Sequence, residues 1–250
     1  MESTPHIDIA RHGTVAVMTL RHEEQNRFTT PFLTEVCEAW DALAAEDDVR
    51  GVVVTGAQEK FFSTGIHLEW LMAQGSTNPG AVLVFLEALQ RALVTATGFP
   101  KPLVGALNGH VVAGGAILAA CFDYRLMRDD YGFVRLPEVQ IDIPFTPGMV
   151  ALLQGMLPAA SFRDLALTGD RVTGAQARAM GYVDELVPAA ELVPRAVALA
   201  AKLGAVNLRT YAAIKRSLKR GVLEVMERED PPMLRRAVAA MVGEPAARTP

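Results

Sequence analysis

Leu107-Asn108-Gly109-His110-Val111-Val112-Ala113-Gly114-Gly115-Ala116-Ile117-Leu118-Ala119-Ala120-Cys121-Phe122-Asp123-Tyr124-Arg125-Leu126-Met127 is the stretch on which the fold reading turns. An apolar run over residues 102–107 stops at Asn108-Gly109, a loop of small residues follows, and an Ala- and Leu-rich run starts at Gly114. That order predicts a strand, a glycine turn and the N-terminus of a buried helix. A helix N-terminus leaves N–H groups without helical partners. Glycine there lets another molecule approach the main chain closely. N–H groups aimed at an oxygen that gains negative charge form an oxyanion site.

A second turn of the same kind lies upstream. Gly51-Val52-Val53-Val54-Thr55-Gly56 reads as a short buried strand. It leads into Lys60-Phe61-Phe62-Ser63-Thr64-Gly65-Ile66-His67-Leu68-Glu69-Trp70. Two such turns could present two N–H donors to one point, although spacing alone leaves open whether they converge.

Outward from these turns, residues 7–20 alternate around His12-Gly13 and predict a hairpin of strands 7–10 and 15–20. Thr30-Pro31 predicts a helix start, with Thr30 as cap and Pro31 in the first turn. Phe32, Val36, Ala39, Trp40 and Leu43 then fall on one apolar face. A strand–strand–helix order recurs through residues 102–120 and again from Tyr124. Gly75 to Gly80 reads as a mobile segment before a helix over 81–97, and 147–157 and 158–167 read as two helices. Thr173 is predicted to cap a short helix that leads through Gly181 to a strand over 182–187. Beyond a boundary near 188 the strand signal ends. Helices are predicted over 189–203, 208–220 and 222–242, the last with a stripe of Met233, Leu234, Val238 and Met241. The domain reading is therefore a core of 1–188 and a helical region of 189–250.

The residues of the two turns resemble a known family. Phe62-Ser63-Thr64-Gly65-Ile66-His67-Leu68 is similar to the first signature of the crotonase superfamily, the enoyl-CoA hydratases and isomerases, in which Asp usually stands at the place of His67. Asn108-Gly109-His110 through Ala113-Gly114-Gly115, with Asp123-Tyr124-Arg125 after it, resembles the second. The resemblance spans residues 7–187. Lys60-Phe61-Phe62-Ser63 and residues 123–128 look most like the Δ3,Δ2-enoyl-CoA isomerases, the plant-type peroxisomal ones among them.

The resemblance implies an α/β spiral of ββα units with a C-terminal helical region that packs on a neighbouring subunit of a trimer or dimer of trimers. Packing of that tail on its own core is the alternative. It also implies an acyl-CoA thioester substrate, with coenzyme A entering as part of the substrate and no separate cofactor. The backbone N–H groups of Ile66 and Gly114 would form the oxyanion hole. Glu138, in the apolar, proline-bounded stretch Leu136-Pro137-Glu138-Val139, would be the catalytic base. Ser63, Thr64, Gly65, His67, Leu68, Gly109, Gly115 and Ile117 would contact the substrate or its CoA. Phe61, Phe62, Trp70, Leu71, Phe85 and Leu89 are candidates for the acyl pocket, though core packing explains most of them equally well.

Where the family's hydratases carry a second glutamate, this chain has Ile117, which can neither give nor take a proton. One base that shuttles a single proton suffices for isomerisation, so an isomerase is expected. A hydratase or another CoA-thioester lyase is the alternative, and a CoA-thioester-binding protein without catalysis is the non-enzyme reading. Glu69 and Asp142, which stands where the relatives usually have Gly, are the candidate second carboxylates; Asp123 is expected to be structural.

Composition sets the outer limits. The chain has 250 residues, half of them hydrophobic, and a formal net charge of -4, enough for one sizeable core. No block of like charge suggests a nucleic-acid partner. No apolar run reaches the ~18 residues of a membrane span. Cys37 and Cys121 lie in apolar helical patterns and predict buried free thiols. No His/Cys cluster suggests a metal, no G-x-S-x-G elbow suggests a serine hydrolase, and no P-loop is present. The first ten residues lack a signal-peptide pattern and Arg248-Thr249-Pro250 is not a peroxisomal address, so a cytoplasmic protein is expected.

Overall fold

The computed structural model describes residues 5–241. Among these residues ten strands form two sheets. The strands are β1 (Ile7–His12), β2 (Val15–Leu20), β3 (Gly51–Gly56), β4 (Phe61–Ser63), β5 (Leu103–Leu107), β6 (His110–Val112), β7 (Tyr124–Arg128), β8 (Phe133–Arg135), β9 (Val172–Thr173) and β10 (Glu185–Val187). The helices are α1 (Thr30–Ala45), α2 (Leu68–Thr77), α3 (Gly80–Gly98), α4 (Gly114–Ala120), α5 (Pro147–Met156), α6 (Ala159–Thr168), α7 (Gly174–Ala179), α8 (Leu192–Gly204), α9 (Leu208–Arg228) and α10 (Asp230–Met241).

The larger sheet has the order β1-β2-β3-β5-β7-β10 and the smaller β4-β6-β8-β9. Three successive pairs, β3/β4, β5/β6 and β7/β8, each give their first strand to the larger sheet and their second to the smaller, and a helix follows each pair. This is the expected spiral of ββα units. The central strands are parallel, and β2, β3 and β5 are mostly apolar, as a sheet covered on both faces requires. Along β3, Val52 and Val54 enter the main core with Phe32, Trp40 and Phe122. Val53 faces the other way, into a second cluster with Ala196 and Ala200 of α8. Small residues let α8 lie close to the sheet: a Cβ on Gly51 would stand 3.0 Å from the Ala200 carbonyl oxygen.

Several local expectations shift. The cap of α1 is Thr29, not Thr30; the Thr29 hydroxyl accepts from Phe32 N–H, and Pro31 sits inside the first turn. Gly75 belongs to α2, which runs on to Thr77. Only Glu185–Val187 of the predicted strand over 182–187 pairs, because the N–H groups of Tyr182 and Val183 turn back to the Ala177 carbonyl. Gly221 does not break the tail. α9 continues through it to Arg228, and the break comes before Asp230-Pro231-Pro232, since proline is tolerated only in a helix's first turn. Val242, the predicted last residue of that helix, lies outside the described residues. Thr173 does cap α7, with a reciprocal bond from Thr173 N–H to the Gln176 side chain. Cys37 and Cys121 are both buried and free.

By length and composition α3 could cross a membrane. Here Phe85, Leu89, Leu93 and Ala96 are buried in the core, while Glu87 and Arg91 face outward. The tail helices are tied to the same core. Lys215 of α9, buried, donates to Asp123 Oδ2 at 2.8 Å, and Tyr211 donates to the same oxygen at 3.1 Å. That oxygen also accepts from Leu103 N–H at the start of β5, the structural role expected of Asp123.

Candidate active site

The two glycine turns converge. A Cβ on Gly65 would fall on the amide nitrogen of Gly114, and one on Gly115 would fall on the Ser63 carbonyl. Gly65 has φ +78°, a region that favours glycine. Ser63 builds the first turn: its hydroxyl accepts from Gly65 N–H at 3.1 Å and donates to the Asn26 carbonyl at 2.8 Å. Phe28 N–H donates to the Gly65 carbonyl, and His67 N–H to the Phe28 carbonyl. Ile66 is thus clamped between two main-chain bonds while its own N–H meets no acceptor among the described residues.

The second turn is held by Asn108, whose Oδ1 accepts from Gly56 N–H at 2.9 Å and whose Nδ2 donates to the Gln58 carbonyl. Ala113 precedes α4 with φ +50°, a strained value for a residue with a Cβ. Its carbonyl accepts from Ala116 and Ile117, and its N–H donates to the Arg135 carbonyl. Gly114 N–H, at the open end of α4, meets no acceptor among the described residues.

Ile66 and Gly114 border one cavity of about 180 Å³, and Glu138 and Ile117 stand on its wall. Glu138 opens the short turn Glu138–Gln140 after Pro137. It is 8 % exposed, and its Oε2 is buried with no hydrogen-bond partner among the described residues. Burial pushes its pKa up to about 7, against the opposing pull of its own backbone N–H and of Arg135. A carboxyl group in this state can take and return a proton near neutrality. Ile117 lies one helical turn beyond Gly114 and is 1 % exposed.

The other candidates fall elsewhere. Asp142 is absent from that cavity's wall but lines an adjoining, wider groove of about 760 Å³ together with Glu138, Phe145 and Phe162. The groove and the cavity share the wall formed by Glu138, Ile143 and Pro144. Asp142 has φ +56°, which accounts for the glycine expected at its position. The Glu69 side chain is 83 % exposed and bonds Arg27. His67 Nδ1 accepts from Trp70 N–H at 3.3 Å and so caps α2; Leu68 follows it, exposed. The Thr64 hydroxyl bonds the Gln25 side chain at 3.0 Å. Gly109 packs on the Lys60 carbonyl and Gly115 on Ser63, both as close backbone contacts. His110 stacks on Phe133 and meets the Tyr131 hydroxyl at 3.1 Å. Of the six acyl-pocket candidates only Leu89 borders the cavity. Phe62 and Phe85 are core, Phe61 packs on His110, and Trp70 and Leu71 pack at the core's edge.

Sequence reasoning missed much of the remaining wall: Leu86 and Leu93 of α3, Ile143, Met149 of α5, and Asp230, Met233, Leu234 and Ala237 of α10. The one usable signal was Asp230-Pro231-Pro232, a helix start that would have put an acid at the head of α10. Among the described residues no group of three or more His, Cys, Asp or Glu could hold a metal ion.

Two unpaired amides and a buried carboxyl thus line one apolar cavity on a spiral of ββα units. The family model for enoyl-CoA hydratase/isomerase matches residues 10–230, and the chain belongs to that family. Enoyl-CoA delta isomerase 2, peroxisomal, of Arabidopsis thaliana is 29 % identical over 217 residues, covering 84 % of this chain and 90 % of the relative. The human mitochondrial delta3-delta2-enoyl-CoA isomerase superposes with a TM-score of 0.87 at 23 % identity, covering 94 % of this chain and 92 % of that one. A probable enoyl-CoA hydratase from Mycobacterium tuberculosis H37Rv superposes with a TM-score of 0.85 at 24 % identity, covering 95 % and 98 %. Both structural likenesses establish the crotonase fold, and neither separates isomerase from hydratase.

Proposed function

We propose that this chain is a Δ3,Δ2-enoyl-CoA isomerase that works with one glutamate base. The observation that carries the reading is the cavity itself. Glu138 is the one carboxyl on its wall with a buried, unpaired oxygen, and the place of a hydratase's second glutamate is filled by the apolar side chain of Ile117. Asp230 also borders the cavity, but both its oxygens already accept hydrogen bonds.

The thioester oxygen would sit between Ile66 N–H and Gly114 N–H. Glu138 takes a proton from C2, the electron pair of that C–H bond moves into an enolate, and the two amides hold the negative oxygen. Glu138 then returns the proton to C4, the enolate collapses, and the double bond moves from C3–C4 to C2–C3. Each amide donor is worth roughly 3–4 kcal/mol of transition-state stabilisation. Coenzyme A enters only as part of the substrate, and the reading needs no other cofactor. Ile117 helps keep water from the enolate. The turns over 63–65 and 109–115 serve the substrate by shaping the path of the main chain.

The reading includes a trimer or dimer of trimers, which the exposed Ile214 and Leu218 on the outer face of α9 would suit. Sedimentation as a monomer at micromolar concentration would remove that part. The activity is tested by following the conjugated-thioester absorbance, with its gain on 3-enoyl-CoA compared with its loss on 2-enoyl-CoA. Isomerisation should exceed hydration. A hydratase kcat/KM equal to or above the isomerase value would overturn the single-base reading.

A further inference from the structure

Asp230 is 3 % exposed and heads α10. Its Oδ1 accepts from Gly148 N–H at 2.7 Å, and its Oδ2 accepts from the Thr146 hydroxyl at 2.9 Å. Both donors belong to the start of α5, where Thr146 is itself the cap and accepts from Met149 N–H. A negative carboxylate against the first turn of a helix is a favourable placement, and both of its oxygens are satisfied where water is scarce. The bond pair therefore fixes the head of α10 onto α5. From that fixed point Met233, Leu234, Ala237 and Met241 line the cavity that also holds Ile66, Gly114 and Glu138, together with Leu89 and Leu93 of α3.

We propose that Asp230 is the positioning residue that sets acyl-chain length, holding α10 so that the cavity admits short acyl groups and refuses long ones. This rests on the reading that the Ile66–Gly114–Glu138 cavity receives the acyl part of a CoA thioester. The size follows from the volume. A cavity of about 180 Å³ is a little larger than the roughly 150 Å³ that takes a benzene molecule, which is room for about six carbons. The cavity is partly open, and a longer chain that stays within it has to push α10 away, a movement that the Asp230 bonds to Thr146 and Gly148 oppose. The carboxylate does not touch the reacting atoms. It acts through α10, and its removal should change which chains fit and leave the chemistry at C2 and C4 in place.

The test is calorimetric binding of saturated acyl-CoAs, which reads the cavity without requiring turnover. For the wild type, affinity should climb about fourfold per methylene up to hexanoyl- or octanoyl-CoA, as expected for a buried CH2, and should fall at least about tenfold by dodecanoyl-CoA. Asp230→Ala should bind dodecanoyl-CoA about as tightly as hexanoyl-CoA, and Asp230→Asn, which keeps an acceptor for Gly148, should fall between. Ala237→Leu leaves the bonds to α5 intact and fills the cavity, so it should move the optimum down to butanoyl-CoA. It tests whether the acyl chain lies along α10, and if Asp230→Ala does not fold, Asp230→Asn decides the role of Asp230, an unchanged length profile there overturning it. Wild-type binding of dodecanoyl-CoA as tight as that of hexanoyl-CoA would overturn the proposal. So would a folded Asp230→Ala with an unchanged length profile, or Ala237→Leu with an unchanged optimum. Absence of binding at every length would overturn the enoyl-CoA reading together with this one, a pattern distinct from binding that ignores length.

Discussion

One part of the cavity wall is two main-chain amides, Ile66 and Gly114; another is side chains of α3 and α10. The amide side is built from the backbone. Its two turns touch closely enough that no Cβ fits at Gly65 or Gly115, and Ser63, Asn108 and Phe28 spend their polar groups on holding the turns. The acyl side is built from ordinary apolar residues on helices, plus one carboxylate that ties a helix down. A site made of backbone has to be specified by residues of unusual shape. A wall made of Leu and Met can be specified by almost any apolar helix face. Substitutions on the first side should therefore cost turnover, and those on the second should redistribute substrates.

Glu138, which lines the same cavity, should give the largest effect. Glu138→Gln keeps size and hydrogen bonding but removes the base, so kcat on a 3-enoyl-CoA should fall about 10²–10⁴-fold, with CoA-thioester affinity within a few-fold. Retention of more than about a third of the wild-type kcat would remove Glu138 from its role, since a lost general base costs far more than that. Next comes Gly65→Ala. The new methyl group meets the Gly114 amide and the residue is held at positive φ, so the amide pair is splayed. Loss of one oxyanion donor costs roughly 10²–10³ in kcat, and the thermal midpoint should fall as well. An active, equally stable Gly65→Ala would show that the amides are not held by this contact.

The pH dependence sharpens the same comparison. Only the carboxylate form of Glu138 can take the C2 proton, and burial holds its pKa at about 7. The rate should therefore be flat above that value and fall about tenfold per pH unit below it. Stability runs the opposite way. The folded protein keeps this proton until about pH 7 whereas the unfolded chain releases it near 4.5, so the fold loses stability as pH rises between those values. Glu138→Gln, neutral throughout, should match the wild type at about pH 4, below the unfolded value, and exceed it at pH 8 by about 1–3 kcal/mol, read as a denaturation midpoint. An identical midpoint for the two proteins at pH 8 would show that Glu138 is not buried as a charge. The smallest expected effect is at Ala113, whose φ of +50° glycine would adopt without strain. Ala113→Gly should stabilise the fold by up to about 1 kcal/mol and leave the rate within twofold. A loss of stability there would mean that the Ala113 methyl group packs better than its backbone is strained.

Both glycine turns, the strand–strand–helix order and Glu138 were legible in the chain because each depends on a local constraint: positive φ, close approach, or an acid among apolar residues. Helix ends were legible where a polar cap or a proline marks them, as at Thr173. The break before Asp230 carried the same kind of mark, in Pro231 and Pro232, and was placed too early at Gly221. The acyl wall was not legible. Phe62, Phe85 and Leu89 are all apolar helix or strand residues that enter the core, and nothing local tells that Leu89 alone of them also borders the cavity.

What the sequence by itself determined is local: two glycine turns, an acid at Glu138 among apolar residues, and an apolar Ile117 one helical turn beyond Gly114. The tertiary structure alone decided that Gly65 and Gly114 meet. It alone placed Asp142 on an adjoining groove and Glu69 in solvent, and it alone brought Asp230, far along the chain, into the wall beside Glu138. The physical reason is range. Backbone conformation and burial tendency are properties of neighbouring residues, whereas a cavity is the space left between elements after helices distant in sequence have packed.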